Sequence, residues 1–217
     1  MHRDFLRDDF RQYYHHTLQF GYERRKNFCI KTLLFLQKAN YVSADKNAID
    51  KDYLGFNFKS IEEEGNLNGT PYLLEDSIHN HLRFSEQHIM HRKGSTELKK
   101  GKTVVIPLSM SRGSLLVQAV SPEAAKNALH SCAHGAGRKL SRFDAMKYWK
   151  TVLKEKQRRE YKERFSELLN RSGNFPQGYI QEFDFAYKDS VDIIKHQPYL
   201  KKITQTNPVV TIKYSEI

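Results

Sequence analysis

The chain has 217 residues, a formal net charge of +11 at neutral pH and ten histidines. Its length suits one domain with a hydrophobic core, with or without appendages. The charge favours a polyanionic partner such as RNA, DNA, a nucleotide or an anionic membrane, although a basic surface that only confers solubility would give the same charge. The sequence contains neither a run of about 18 apolar residues nor an apolar leader at its start, so it predicts no membrane span and no signal segment. Two widely separated cysteines, Cys29 and Cys132, predict no disulfide framework and favour a reducing, cytoplasmic location.

The first half of the chain combines a helical pattern with a polar segment. Apolar residues recur at helical spacing from residue 4 to about residue 37 and predict one long helix. Residues 40–75 are polar and rich in Asn, Asp and Gly, which predicts an irregular insertion. Short strands are predicted at 89–90, 103–107 and 115–120.

The second half is predicted to be mainly helical. Pro122 followed by Glu123 is typical of a first helical turn. The Ser-Gly-Asn-Phe-Pro-Gln-Gly sequence at 172–178 predicts the end of a long, charged helix. The predicted elements are helices at 122–130, 144–170 and about 185–196, and a terminal strand at 209–213. This order predicts an α+β fold in one domain over residues 1–217, with short-strand sheets flanked by long helices.

The strongest functional signal lies between Ser131 and Arg142. His134 directly precedes Gly135-Ala136-Gly137. Small residues let backbone N–H groups approach a ligand closely, and successive amides can form an anion-binding nest. The helical spacing after Arg142 would add a helix N-terminus. The pattern therefore predicts a nucleophilic imidazole beside a phosphate-binding turn, with a structural histidine in a glycine-rich turn as the alternative.

A second signal is a group of histidines that begins with His79-Asn80-His81 and ends at His91, before Arg92-Lys93-Gly94. Neutral imidazole is a common ligand for manganese, zinc or iron. However, no carboxylate or thiolate with ligand spacing accompanies these histidines. Taken alone, the group favours a polar surface or a phosphate-binding edge over a metal site.

Two further segments carry weaker signals. The sequence from Val105 to Ser114 combines a strand, a proline and small hydroxyl residues, which suits a ligand-binding loop but also an ordinary strand-end turn. Near the C-terminus, Glu182-Phe183 precedes Ala186-Tyr187-Lys188-Asp189, and a predicted strand ends at Lys213. A solvated lysine on an edge strand is the simpler interpretation of Lys213.

Taken together, these motifs resemble those of the RtcB RNA ligase family. The match is specific over residues 79–142 and weaker over 182–213. Leu108 and Ser111 stand where the family has glycines, so a side chain at position 108 is expected to crowd a bound nucleotide. The family's N-terminal half also carries an Asp-x-x-Cys metal motif and a Gly-Asn-His-Phe segment. Neither occurs here, so the chain resembles the C-terminal half of such a ligase.

The resemblance implies a role for each matched residue. His134 would attack GTP and carry GMP, His79 would bind Mn²⁺, and Asn80 would contact the nucleotide. Arginine suits phosphate recognition through its bidentate hydrogen bonds. The residues implied to hold RNA or nucleotide phosphates are Arg92, Lys93, Arg138 and Arg142. The other implied nucleotide-binding residues are Pro107, Leu108, Ser109, Met110, Ser114, Gly135, Ala136, Gly137 and Lys213.

The resemblance also implies a reaction. The expected activity is an RNA ligase that joins a 3'-phosphate, or a 2',3'-cyclic phosphate, to a 5'-hydroxyl through a GMP–histidine intermediate. GTP and Mn²⁺ would be the cofactors, RNA with those two ends the substrate, and no membrane is expected as a partner. Two alternatives stay open: a non-catalytic remnant that binds nucleotide or RNA, and one half of a split ligase that pairs with a separate N-terminal half.

Overall fold

The computed structural model describes residues 8–38, 63–67, 70–74, 76–85, 88–99, 101–169 and 172–208. The chain divides into two compact units, residues 1–76 and 77–217. The described residues combine helices with small antiparallel sheets, which confirms the predicted α+β class. Among the described helices, none is both long enough and apolar enough to cross a bilayer.

The first unit contains the long helix and a β-hairpin. Helix α1 spans Asp8–Lys38, in agreement with the helical spacing of the sequence. Strands β1 (Glu63–Leu67) and β2 (Thr70–Leu74) pair in antiparallel fashion. This hairpin corrects the prediction that 40–75 is irregular throughout, because backbone pairing does not require an alternating apolar pattern. The rest of that segment, 39–62, lies outside the described residues.

A three-stranded antiparallel sheet organises the second unit. Its strands are β6 (Val104–Ser109), β7 (Gly113–Ala119) and β9 (Leu200–Gln205), in the order β6-β7-β9. Alternate residues of β6 are buried, as expected for a strand with one face on a core. The sequence did not predict β9, because four of its six residues are polar or charged. The predicted terminal strand at 209–213 lies outside the described residues.

Two smaller sheets complete the second unit, one between neighbouring segments and one between segments that are distant in the sequence. Strands β3 (Leu82–Phe84) and β4 (Ile89–His91) form one antiparallel pair, and β5 (Ser95–Glu97) pairs with β8 (Ser131–Ala133). The β5–β8 pair aligns Ser95 with Ala133. It therefore places the residues after the histidine group next to those that lead into His134.

The helices of the second unit are shorter than predicted. Their bounds are α2 (Pro122–Asn127), α3 (Arg142–Thr151), α4 (Glu155–Arg164), α5 (Gln177–Ile180) and α6 (Ser190–His196). The expected helix at 144–170 is interrupted because Leu153 turns into the core and Lys154 is extended, with ψ of 154°. The expected helix from 185 starts only at Ser190, where the Asp189 side chain accepts a hydrogen bond from the N–H of Val191.

An aromatic cluster holds these helices together, and we call it the second core. Trp149 is 8% exposed, and its ring lies 5.6 Å from that of Phe183 and 5.8 Å from that of Phe175, centroid to centroid. The buried members of the second core are Trp149, Leu153, Phe175, Ile180 and Phe183. Burial of aromatic and aliphatic side chains of this size is the main force that fixes α3 against α5.

Candidate active site

His134 lies on a turn that follows β8, with its side chain exposed to solvent. Its Nδ1 is 2.6 Å from the carbonyl oxygen of Gly94. Because a carbonyl oxygen only accepts hydrogen bonds, Nδ1 must carry the proton and donate it. In the neutral imidazole the lone pair is then on Nε2. The structure thus presents an exposed imidazole in a defined tautomer.

The carbonyl that orients His134 is itself held in place by Asn80. The N–H of Gly94 donates to Oδ1 of Asn80 at 2.6 Å. Gly94 has φ of +64°, and a Cβ atom at this position would lie 3.5 Å from the His134 ring. Asn80 also has a positive φ, 60°, which asparagine tolerates better than most residues. Asn80, the predicted nucleotide contact, thus uses its side-chain oxygen to position the residue whose carbonyl orients His134.

His79 joins the same constellation. Its ring stacks on that of His134, with centroids 5.0 Å apart and planes 19° from parallel. The backbone of His79 forms a β-bridge with Thr96, which belongs to β5. Strand β5 thus brings the histidine group and the glycine-rich motif together, since it contacts both segments.

The glycine-rich turn is held by main-chain hydrogen bonds. The N–H of Ala136 donates to the carbonyl of Pro107 at 2.9 Å, and the N–H of Lys188 donates to the carbonyl of Gly137 at 3.1 Å. A Cβ atom on Gly135 would lie 3.4 Å from the Pro107 oxygen, so the small residue permits this close approach. The N–H of Ala136 is consequently hydrogen-bonded within the protein, whereas the predicted anion-binding nest would have this N–H point toward a ligand.

Helix α3 follows the glycine-rich turn. Helix α3 begins at Arg142, and Ser141 caps it by accepting a hydrogen bond from the N–H of Asp144 at 3.0 Å. The N–H groups of Lys139 and Leu140 both donate to the carbonyl of Ala186. The helix thus starts at Arg142, as the sequence predicted, and the main-chain amides of Lys139 and Leu140, between the turn and the helix, are bonded within the protein.

The β6–β7 turn places the other predicted nucleotide-binding residues. Leu108 is 4% exposed and packs in the core of the sheet, so its side chain does not occupy the solvent side. The crowding of a nucleotide expected from this residue stays a prediction, and the buried position of the side chain argues against it. Ser109 Oγ is buried and has no hydrogen-bond partner in the described part of the chain. Met110 packs against the second core, and Ser114 pairs with Pro107 across the strands.

The family model described as "tRNA-splicing ligase RtcB" matches residues 39–214. This chain belongs to the RtcB family. A curated relative named "tRNA-splicing ligase RtcB", from Nanoarchaeum equitans, is 31% identical in an alignment of 173 residues that covers 65% of this chain and 33% of the relative. One of the same name from Methanocaldococcus jannaschii is 34% identical in an alignment of 146 residues that covers 56% of this chain and 14% of the relative.

A shorter match, to "RNA-splicing ligase RtcB1" of Escherichia coli, is 36% identical over 70 residues, which are 32% of this chain and 16% of the relative. The chain thus spans a third or less of the length of these RtcB relatives. The family match includes every residue of the His134 constellation and confirms the resemblance that the motifs indicated.

Two of the four predicted phosphate-binding residues of this RtcB chain are occupied within the protein. Arg92 is 3% exposed and donates to Ser131 Oγ at 2.9 Å and to the His130 carbonyl at 3.0 Å. Arg138 donates to the carbonyls of Gln181 at 2.5 Å and Leu140 at 2.9 Å. Both guanidinium groups therefore stabilise loops: Arg92 is buried, whereas Arg138 is partly exposed, with its side chain 25% accessible. Their hydrogen bonds within the protein leave fewer donors for a phosphate.

Arg142 and Lys93, in contrast, face solvent. The Arg142 side chain is 72% exposed, with its Nε 3.6 Å from a carboxylate oxygen of Glu182. Lys93 is exposed on the loop before Gly94. Both side chains are therefore accessible to an anion from solvent. The remaining predicted contact, Lys213, lies outside the described residues.

The described residues do not provide a manganese site. Within that part of the chain, no three His, Cys, Asp or Glu side chains are placed to hold one metal ion. His79 would supply a single imidazole, and a single ligand does not define a site for Mn²⁺. Burial raises the pKa of Cys132 to about 12, against a smaller lowering by Arg92, so this residue stays a thiol rather than a thiolate ligand.

Sequence reasoning missed the positioning role of Gly94. The His-Arg-Lys-Gly motif singled out the residue, but the use of its carbonyl by His134 depends on pairing between β5 and β8. It also missed the carboxylate and phenol that hold Arg138: Glu182 accepts from its Nη1 at 3.3 Å, and the Tyr187 hydroxyl lies 3.1 Å away.

Proposed function

We propose that this chain provides the guanylate-accepting histidine of an RNA ligase. The reaction joins an RNA 3'-phosphate, or a 2',3'-cyclic phosphate, to a 5'-hydroxyl through GMP bound covalently to His134. One observation carries the proposal: the Gly94 carbonyl fixes the His134 ring with Nδ1 as the donor, which leaves Nε2 exposed as a nucleophile. Membership of the RtcB family supports a ligase acting on RNA.

Starting from an RNA 3'-phosphate, the proposed chemistry has three balanced steps; a 2',3'-cyclic phosphate is first opened to that 3'-phosphate by one water molecule, with the 2'-oxygen as the leaving group. The Nε2 lone pair of His134 attacks the α-phosphorus of GTP, so that a P–N bond forms, the bond to the bridging oxygen breaks and pyrophosphate leaves. An oxygen of the RNA 3'-phosphate then attacks the same phosphorus and breaks the P–N bond, which returns the histidine. Finally the 5'-hydroxyl oxygen attacks the RNA phosphate, loses its proton and expels GMP, which leaves a phosphodiester.

The nucleotide would lie between the His134 turn and the β6–β7 turn. Contact between Ala136 and Pro107 brings these two turns together, and the unpartnered Ser109 Oγ lies in the second of them. Arg142 and Lys93 would hold phosphates, since both are exposed. Asn80 would act through Gly94 rather than by touching the base.

Manganese enters the proposal only as a requirement of the complete enzyme. The described residues supply His79 and no set of three ligands, so we derive no step through the metal. We propose that the further ligands come from RtcB sequence beyond the part that this chain covers, either in one longer protein or in a separate half. The one-third coverage of the Nanoarchaeum equitans relative supports this assignment.

The direct test is transfer of labelled GMP. The chain is incubated with α-labelled GTP and Mn²⁺, with and without a polypeptide that carries the N-terminal part of an RtcB relative, and the adduct is mapped by mass spectrometry. We expect the label on His134 and its loss in His134→Ala. His88→Ala, which removes another exposed histidine of the chain, serves as the matched control. Label that persists in His134→Ala contradicts the assignment.

The alternative function is a remnant that binds nucleotide or RNA without catalysis. The absence of three gathered metal ligands in the described residues favours it. GTP binding without any adduct, in the presence of the N-terminal polypeptide, would support the remnant. An adduct that appears only with that polypeptide would support a split ligase.

A further inference from the structure

A cleft of about 540 Å³ opens on the second unit beside the second core. Its walls come from α3, α4 and the segment that enters α5. The His134 turn does not line it, and no residue of the proposed guanylate site takes part. The proposed function therefore assigns no role to the residues that line this cleft.

Four cations surround the cleft, against one carboxylate, Glu155. Arg158 has a structural role, because its Nη1 donates to the carbonyls of Trp149 at 3.2 Å and Lys150 at 3.1 Å. The other three, Lys150, Arg159 and Lys162, are exposed and form no ion pair with a described residue. The cleft thus has surplus positive charge on flexible side chains, which suits an anionic polymer.

The floor of the cleft differs from its rim. Met146 and the exposed edges of Phe175 and Ile180, each 6% accessible, provide apolar surface. Gln177 adds a side-chain amide, as does Asn174, whose Nδ2 also donates to Ser172 Oγ at 3.1 Å. A cationic rim over an apolar floor with a few amides is the combination that accepts a single strand of nucleic acid: phosphates follow the cations, a base covers the apolar surface, and amides bond to base edges. In a duplex the bases are paired and stacked, so they are not free to enter.

We propose that the α3–α4 cleft binds a single-stranded segment of the RNA substrate. The inference rests on the proposed RNA ligase function and deepens it by assigning a second RNA contact away from His134. Charge complementarity supports RNA as the occupant. Three cations of the cleft have no ion-pair partner among the described residues, and the phosphates of an RNA strand would supply the matching negative charge. An acidic peptide would satisfy the cations but would leave the apolar floor and the amides without a matching group.

The test measures binding of a short labelled single-stranded RNA to the full chain, without GTP, over a range of salt concentrations. The double variant Arg159→Gln/Lys162→Gln removes two cations from the cleft. For every phosphate that is no longer neutralised, the slope of log affinity against log salt should fall by about 0.7. The affinity at about 0.1 M salt should fall on the order of tenfold.

The matched control is Lys156→Gln/Lys195→Gln, which removes the same charge from residues that do not line the cleft. It should leave the slope close to that of the unmodified chain. The neutral substitution Gln177→Ala should weaken binding without changing the slope, because it removes a contact to a base and not to a phosphate.

Equal slopes for the two double variants would overturn the proposal. Displacement of the RNA probe by poly-glutamate only in chains with the intact cleft, together with an unchanged RNA slope, would assign the cleft to an acidic protein. If the unmodified chain binds no single-stranded RNA, the cleft proposal fails, while the GMP adduct on His134 still tests the proposed function independently.

Discussion

The His134 turn and the α3–α4 region are built in different ways. At the His134 turn, main-chain atoms do the positioning: the Gly94 carbonyl orients the ring and the Pro107 carbonyl holds the glycine-rich segment. Around α3 and α4, side chains position the helices, through the edge-on and tilted ring contacts of the second core. We therefore expect substitutions in the second region to change stability, and those in the first to change chemistry.

The largest effect on stability is expected at the centre of the second core. Trp149→Ala removes a side chain that is 8% exposed and should lower the free energy of unfolding by about 3–5 kcal/mol, because the cavity does not refill completely. Denaturant unfolding measures the loss. Val152→Ala, at a residue that is 58% exposed, is the control and should change little. A loss below about 1 kcal/mol for Trp149→Ala would show that the second core does not hold the helices.

A substitution of Asp184 tests the polar contacts beside the second core, where this carboxylate accepts hydrogen bonds from Tyr161 and Arg164. Burial alone would raise the pKa of Asp184, but hydrogen bonds from Tyr161 and Arg164 and the charge of Arg112 lower it below 3.8. A depressed pKa in the folded state contributes stability above pH 3.8, which is lost as the pH falls through the folded-state value. Asp184→Asn should therefore lower the free energy of unfolding by roughly 1–3 kcal/mol at pH 7.

The difference between Asp184→Asn and the unmodified chain should shrink as the pH falls below 3.8, and unfolding curves at several pH values measure it. Asp192→Asn is the control for loss of one negative charge. A difference that is constant with pH would mean that the carboxylate charge at position 184 does not contribute.

Gly94→Ala probes the main-chain site. The new Cβ atom would meet the His134 ring at 3.5 Å, and the φ of +64° would cost about 1–2 kcal/mol. We expect formation of the GMP adduct to slow by about tenfold, which corresponds to roughly 1.4 kcal/mol. Gly101→Ala is the matched control, because Gly101 has φ of +69° but a Cβ atom there would have no neighbour within 4 Å. Equal adduct rates in the two variants would show that strain, rather than contact with His134, causes the effect.

Asn80→Ala should have the smallest effect. It removes the acceptor of the Gly94 N–H, so the carbonyl that orients His134 becomes less well fixed. Loss of one such hydrogen bond costs about 1 kcal/mol, so the adduct should form several-fold more slowly. Asn80→Asp keeps an acceptor oxygen and should restore most of the rate. Lower affinity for GTP with an unchanged rate at saturation would instead support the predicted direct contact with the nucleotide.

Several features of the fold could be predicted because they depend on local residue types. The periodicity of α1 and the alternation along β6 are properties of neighbouring residues, and both elements are present. The break between α3 and α4 could not be predicted, because it depends on burial of Leu153 against residues from other elements. Strand β9 was missed for a similar reason, since its pairing with β7 comes from tertiary contact rather than from its own apolar pattern.

The sequence by itself determined the family of this chain and the chemical type of its candidate nucleophile, because both depend on the identity and order of residues near His134. Only the tertiary structure decided which cations face solvent: Arg92 is buried and fully engaged, whereas Arg142 is exposed. It alone decided which nitrogen of His134 is free, since that depends on the Gly94 carbonyl. Every residue carries a main-chain carbonyl, so the Gly94 carbonyl orients His134 because of its position in the fold and not because of its residue type.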